Sequence, residues 1–257
     1  MLVEPKTDYV VCNPAAEKWV TVPATEWSSK VDDVRLGFDS AVSSHFHVFE
    51  LVPTLSLDVN KGYDDSIEEV GIYSSEARDW THQIEWDYPF VIGNFSGSAF
   101  LSGVLYLPSG HDSVAAINVE GNCRIISVPT SHDGGPDVYV SRGQLYLTIQ
   151  GASELSIWVL TDSSSENCWT LKLNGSYLQL FGIEYSSSKH RVISAQPEHD
   201  VIFIAVESES GYLSLVKLCS YEMDSGELRV ICDLGWNSSC PYLPYVPLFS
   251  ESLADGH

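Results

Sequence analysis

A strand–turn–strand phrase recurs along the chain, and its spacing constrains the fold more than any other feature. In "YVVCNPAAEKWVTVP" (residues 9–23) an apolar run reaches Cys12, Asn13-Pro14 turns the chain, and a second run opens at Trp19 and stops at Pro23. A two-stranded ribbon of this size is marginal in water, so it must belong to a larger sheet. The seven-residue offset of Cys12 to Trp19 returns from Tyr73 to Trp80, from Ile117 to Arg124 and from Tyr221 to Leu228; Leu160 to Trp169 is stretched to nine. Two copies end in Val-Pro, at Val22-Pro23 and Val128-Pro129, where proline closes a strand because it has no N–H for a ladder.

Upstream of most copies lies a second pair of β-like runs. "VRLGFD" precedes "FHVFELV", "AFLSG" precedes "VLYLPSG", "VYVSRG" precedes "QLYLTIQG", and "RVISAQ" precedes "DVIFIAVE". Each unit therefore holds four strands, and units at roughly 40–50-residue spacing are the mark of propeller blades. The expectation is an all-β, β-propeller-like domain over residues 1–257, with about five blades and flexible ends at 1–7 and 253–257. The first blade is incomplete, since no inner strands precede Tyr9; "YVPLFSES" (residues 245–252) is a candidate to close the ring. Continuous apolar runs such as "VIFIAV" suit blades that pack on both faces. Trp19, at the start of an outer strand, is expected as a wedge between blades. Helix is a minor component, with "SYLQLFGI" (residues 176–183) the best short turn of one.

The charge balance restricts the partners. Thirteen Lys plus Arg stand against 35 Asp plus Glu, a formal net charge of −22. Such a surface repels phosphate backbones and anionic lipid, so neither nucleic acid nor membrane is an expected partner. "MLVEPKTDYVV" shows no basic segment followed by an apolar one, so a secretory leader is not expected. The six cysteines (Cys12, Cys123, Cys168, Cys219, Cys232, Cys240) form no C-x-x-C pair. Free thiols in a reducing compartment, cytoplasmic or nuclear, follow, with the sequons at Asn94, Asn174 and Asn237 unused.

The ordered phrases "YVVCNPAAEKWVTVP", "LGFDSAVSSHFHVFEL", "VGIYSSEARDW", "LSGVLYL", "LSIWVLTD", "PEHDVIFI", "LCSYEMDSGELRVIC" and "YVPLFSESLA" resemble the F-box-associated domain of plant F-box proteins, a kelch-like module of β-propeller type. The resemblance implies a non-catalytic protein-recognition role: in that family this domain recruits the protein to be ubiquitinated. An F-box there joins the adaptor and cullin of a ubiquitin ligase. No F-box helices are seen before Tyr9, so adaptor and cullin contact is not expected of these residues.

A catalytic role needs a constellation of side chains. His45-x-His47 would put two imidazoles on one face of a strand, a usable metal pair lacking an identifiable third ligand. His111-Asp112, His132-Asp133 and His199-Asp200 are each capable of acid–base work, but turn preference for Asp explains them too. No nucleophile elbow or phosphate loop is present. No catalytic residue, metal or cofactor is therefore assigned. The alternative of another class is a propeller hydrolase or lyase at the channel mouth; a truncated product with no independent role is the third reading.

In a propeller, the segments leaving each outer strand gather on one face of the disc. Here these are residues 23–33, 84–98, 130–137, 174–190 and 235–244. Binding centres favour Trp and Tyr on rigidly mounted loops. The candidate partner-binding residues are Trp27, Trp86, Tyr88, Phe90, His132, Asp133, Trp236 and Tyr242, centred on Trp86 and Tyr88. Aromatic plugs folded over the blade ends would have the same composition.

Overall fold

The computed structural model describes residues 8–28, 30–31, 33–53, 66–83, 86, 90–92, 97–109, 112–129, 136–161, 168–182, 188–196, 199–210 and 213–236. The expected flexible ends and the closing segment 245–252 lie outside them.

The strands fall into five antiparallel sheets in strict chain order. Blade I pairs β1 (Tyr9–Asn13) with β2 (Lys18–Val22) and has no inner strands among the described residues. Blade II runs β3 (Asp33–Phe38), β4 (Phe46–Pro53), β5 (Ser66–Ser74) and β6 (Asp79–Gln83), with β7 (Phe90–Val91) added beside the start of β5. Blade III runs β8 (Ala99–Leu101), β9 (Val104–Ser109), β10 (Ser113–Asn118) and β11 (Cys123–Ser127). Blade IV runs β12 (Pro136–Ser141), β13 (Gln144–Gln150), β14 (Glu154–Leu160) and β15 (Trp169–Ser176). Blade V runs β16 (Ser188–Ala195), β17 (Val201–Ser210), β18 (Leu213–Glu222) and β19 (Glu227–Trp236). One four-stranded sheet after another, each meandering from first strand to last, is a β-propeller-like arrangement.

The repeated offsets are cross-strand pairs. Cys12 faces Trp19, Tyr73 faces Trp80, Leu160 faces Trp169 and Tyr221 faces Leu228. Blade III is shifted by one: Ile117 faces Cys123, and Arg124 faces Ala116. The first turn is a short 3-10 helix, Pro14–Ala16, whose open N–H at Ala15 is taken by the Asn13 side chain at 3.2 Å. Glu17 then adopts a left-handed φ of 52° to re-enter the sheet. Among the described residues the one α-helix, α1 (Tyr177–Phe181), starts at a Ser176–Gln179 capping box and stops at Gly182 in the left-handed region.

Among the described residues the buried apolar side chains form four clusters, one at each seam between neighbouring blades. Tyr9, Val11 and Val22 of blade I meet Phe46, Val48 and Tyr73 of blade II. The opposite face of blade II brings Phe49, Leu51 and Ile72 against Leu105, Leu107 and Ile117. Tyr106 and Val114 then meet Leu145 and Leu147, while Leu155 and Ile157 meet Ile202 and Ile204. This is why the sequence reads as unbroken apolar runs: alternate side chains serve different seams, and both faces are dry. The first strands β3, β8, β12 and β16 are successive neighbours, as expected of the inner ring. Gly37 on β3 permits that closeness, since a Cβ there would sit 2.7 Å from the Phe100 ring.

The incomplete blade I leaves apolar groups uncovered. Val34 and Leu36 on β3, facing the place where inner strands of blade I would lie, are exposed. The wedge expected at Trp19 is corrected: its side chain is 69% exposed. Its register equivalents do act as wedges. Trp80 donates its indole N–H to the Pro23 carbonyl of blade I, and Trp169 donates to the Ser127 carbonyl of blade III, both at 2.9 Å.

Candidate functional site

The best-organised surface aromatic is Trp27, in the segment that leaves β2. Val22 ends the strand and Pro23 prevents its continuation. The next turn is then built on a carboxylate from blade II. Glu50 lies within the apolar run of β4 and has no solvent exposure. Its carboxylate accepts three hydroxyl hydrogen bonds: from Tyr9 at 2.8 Å, Thr25 at 2.7 Å and Ser28 at 2.7 Å. Opposite it on β5 stands Gly71, where a Cβ would come 3.1 Å from Glu50 Oε2. A buried carboxylate is tolerable only when its lone pairs are filled this fully. Burial, reinforced by the bond to Glu50, pushes the Tyr9 hydroxyl up to about 12, so it stays a donor throughout the physiological range.

The loop closes on itself around those bonds. Thr25 N–H donates to Ser28 Oγ at 2.8 Å, Trp27 N–H donates to Thr25 Oγ1 at 3.1 Å, and Lys30 N–H donates to the Trp27 carbonyl at 2.6 Å. The Trp27 ring lies flat on His82 of β6, with centroids 3.9 Å apart and planes 27° from parallel. His82 Nε2 is 3.4 Å from Glu69 Oε2, within ion-pair reach but without hydrogen-bond geometry. The half-exposed indole is thus held by stacking below and by hydrogen bonds along its backbone.

Trp86 is also fixed. Its indole N–H donates to the Gly121 carbonyl at 2.9 Å, and its ring stacks on Phe90 at 5.8 Å. It is half-buried against the seam between blades II and III. Phe90, one of the candidate partner-binding residues, is 2% exposed; it belongs to that seam and presents no surface. The reason is local: β7 adds to β5 and carries Phe90 inward. Trp236 ends β19, and nothing is described of its side chain; Tyr88, His132, Asp133 and Tyr242 lie outside the described residues. Of the described candidates, the structure places Trp27 and Trp86 in separate connections and brings Phe90 against Trp86.

The acid–base candidates have other employment. Asp200 is buried and receives Arg142 at 2.8 Å, Lys172 at 2.9 Å and the Tyr146 hydroxyl at 3.2 Å, all from blade IV. Burial pushes its carboxyl upward, but Lys172, Tyr146 and Arg142 outweigh that and hold it below the ordinary value. His199 contributes its main-chain carbonyl, which accepts from Ser141 Oγ. This cluster clamps blade IV to blade V. His111 and His132 lie outside the described residues. His45 precedes β4 and His47 lies on it, each with a buried Nδ1 that has no hydrogen-bond partner. Burial holds the His47 imidazole below its usual range. Among the described residues no three His, Cys, Asp or Glu side chains are grouped to hold a metal, and no helix is long and apolar enough to cross a membrane.

No protein-family model and no curated protein matches the chain. Solved structures similar to it include two that match at low scores. One is a crystal structure of HIRA(644-1017), with TM-score 0.37, 10% identity, and coverage of 79% of this chain and 56% of that one. The other is the crystal structure of the Mitotic Checkpoint Complex, with TM-score 0.44, 12% identity, and coverage of 89% and 72%. The chain thus spans little more than half of the HIRA chain. At such scores neither likeness assigns a role, and the fold stands on its own sheet order.

Sequence reasoning missed two residues that organise the site, Glu50 and His82. A single glutamate inside "FHVFELV" was the available signal for the first: a charge in a two-sided buried strand demands donors nearby.

Proposed function

We propose that the chain is a non-catalytic protein-recognition module, resembling the substrate-binding half of an F-box ubiquitin-ligase receptor. The observation that carries the proposal is the Trp27 platform. A half-exposed tryptophan, immobilised on His82 and braced by the Glu50-centred turn, has little rotamer freedom left to lose on binding, which is the property of an anchor residue. Trp86 is the second anchor, on the equivalent connection of blade II. The ordered run of family-like phrases supports the narrower kinship with F-box-associated domains; attachment to adaptor and cullin is no part of the proposal. The net charge of −22 favours a partner segment that is neutral or basic.

The fully buried Glu50 carboxylate is sealed from any substrate, so the most organised carboxylate–hydroxyl cluster serves the scaffold. A cytoplasmic or nuclear setting is part of the same reading: Cys12, Cys123, Cys219 and Cys232 are free thiols, and burial pushes the Cys123 thiol up to about 12, where it is inert. The test is affinity purification from native tissue with wild-type and Trp27→Ala baits, followed by mass spectrometry. One stoichiometric protein recovered by the wild type and depleted at least ~tenfold with Trp27→Ala is the expected result. Equal recovery of background proteins alone would overturn the proposal.

A further inference from the structure

The two faces of the β1–β2 hairpin are treated differently. Tyr9, Val11, Val20 and Val22 pack on blade II. The other face carries Val10, Cys12, Trp19 and Thr21, paired as Val10 with Thr21 and Cys12 with Trp19. All four are exposed, Val10 to 63% and Trp19 to 69%, and none is charged on a chain of net charge −22. Exposed tryptophan beside exposed valine on one flat face is unusual for a surface that meets only water.

The repeat itself states what such a face accepts. In blade II the equivalent pair, Tyr73 and Trp80, is covered by the β1–β2 hairpin, whose end supplies the Pro23 carbonyl to the Trp80 indole. In blade IV the equivalent Trp169 receives the Ser127 carbonyl from the end of β11. The seam between blades I and II thus has an equivalent face on the far side of blade I, where Val10 and Trp19 stand exposed. We infer that this face is a docking surface for a β-hairpin of a partner protein. The hairpin's inward positions are aliphatic or aromatic, and an unpaired carbonyl at the end of its last strand accepts the Trp19 indole N–H. A second copy of this chain is disfavoured by the repulsion of two bodies carrying −22 each. The inference rests on the protein-recognition reading and adds a second contact surface, distinct from Trp27.

The probe is a backbone-cyclised peptide with the sequence of residues 9–23, the hairpin that covers Trp80. It is titrated into the full chain while the indole N–H signals are followed by NMR. A saturable shift of the Trp19 signal, at least ~tenfold weaker in affinity for Val10→Asp and unchanged for Val42→Asp at an exposed site elsewhere, is the expected result. The inference fails if Trp19 does not respond, or if its indole is already shielded from solvent exchange in the free monomer, which would mean that the chain covers itself. It fails equally if the chain self-associates through this face, with Val10→Asp restoring the monomer. A cellular partner retained by Trp19→Ala but lost by Trp27→Ala would sink this inference and leave the recognition proposal standing; recovery of no specific partner by the wild type would sink the latter.

Discussion

The Trp80 indole nitrogen lies 2.9 Å from the Pro23 carbonyl oxygen, across 57 residues of sequence and one blade seam. The bond satisfies the last carbonyl left open where proline ends the outer ribbon of blade I. Trp169 and Ser127 repeat it between blades III and IV. Replacing either tryptophan by phenylalanine keeps most of the ring and deletes the donor. Each change is expected to lower stability by about 1–2 kcal/mol in urea titrations. Trp19→Phe is expected to be neutral within about 0.5 kcal/mol, because the ring has no cover to lose.

Glu50 is a fully buried carboxyl group held by the hydroxyls of Tyr9, Thr25 and Ser28. In Glu50→Gln one oxygen becomes an NH2 group facing hydroxyls that were donating to it. A loss of about 1–3 kcal/mol is expected, since a buried donor is left unmatched. The Trp27 indole signal should broaden or shift in the same variant while the Trp169 signal stays put. An unmoved Trp27 would show that the turn does not depend on the carboxylate.

Two carboxylates give opposite pH signatures. Asp200 is held below its ordinary value by Lys172, Tyr146 and Arg142 against the effect of burial. Its contribution is therefore fully present above the unfolded value of about 3.9 and is lost as pH falls through the lower folded value. Asp200→Asn should cost about 1–2 kcal/mol at pH 7, the deficit shrinking below about pH 4. Asp137 is raised, chiefly by burial, with the Gly97 N–H and Arg191 only partly offsetting it. Folding takes up a proton there, so stability declines as pH rises from the unfolded value through the raised folded one. Asp137→Asn should stabilise the chain at pH 7 and make no difference well below pH 4. Melting temperatures measured from pH 3 to pH 8 separate the two.

Gly37 sits where β3 passes β8. A Cβ there would lie 2.7 Å from Phe100 and 2.8 Å from Phe49. Gly37→Ala is expected to cost about 1–3 kcal/mol by overpacking, with Phe100→Leu in the same chain restoring part of it. Additive losses in the double variant would show that the contact is elsewhere relieved.

Much of this molecule is written locally. The pairing of Cys12 with Trp19, Tyr73 with Trp80 and Leu160 with Trp169 follows from runs that alternate over a few residues around turns rich in Asn, Asp, Gly and Ser. Blade III is shifted by one, pairing Ile117 with Cys123 around a turn in which Gly121 takes a left-handed φ of 88°. Strand order within the described sheets needed no more than that pattern. What the alternation cannot express is which neighbour a face will meet. Trp19 and Trp80 hold the same place in the same motif, yet one is bare and the other is partly covered by a hairpin 57 residues upstream. His199-Asp200 has the composition of an acid–base pair, and only the approach of Lys172, Tyr146 and Arg142 makes Asp200 a clamp. Glu50 is tolerated because hydroxyls 22, 25 and 41 residues away converge on it. Strand register is settled by neighbours a few residues apart, whereas burial, desolvation and anchoring depend on surfaces that meet only when the blades assemble.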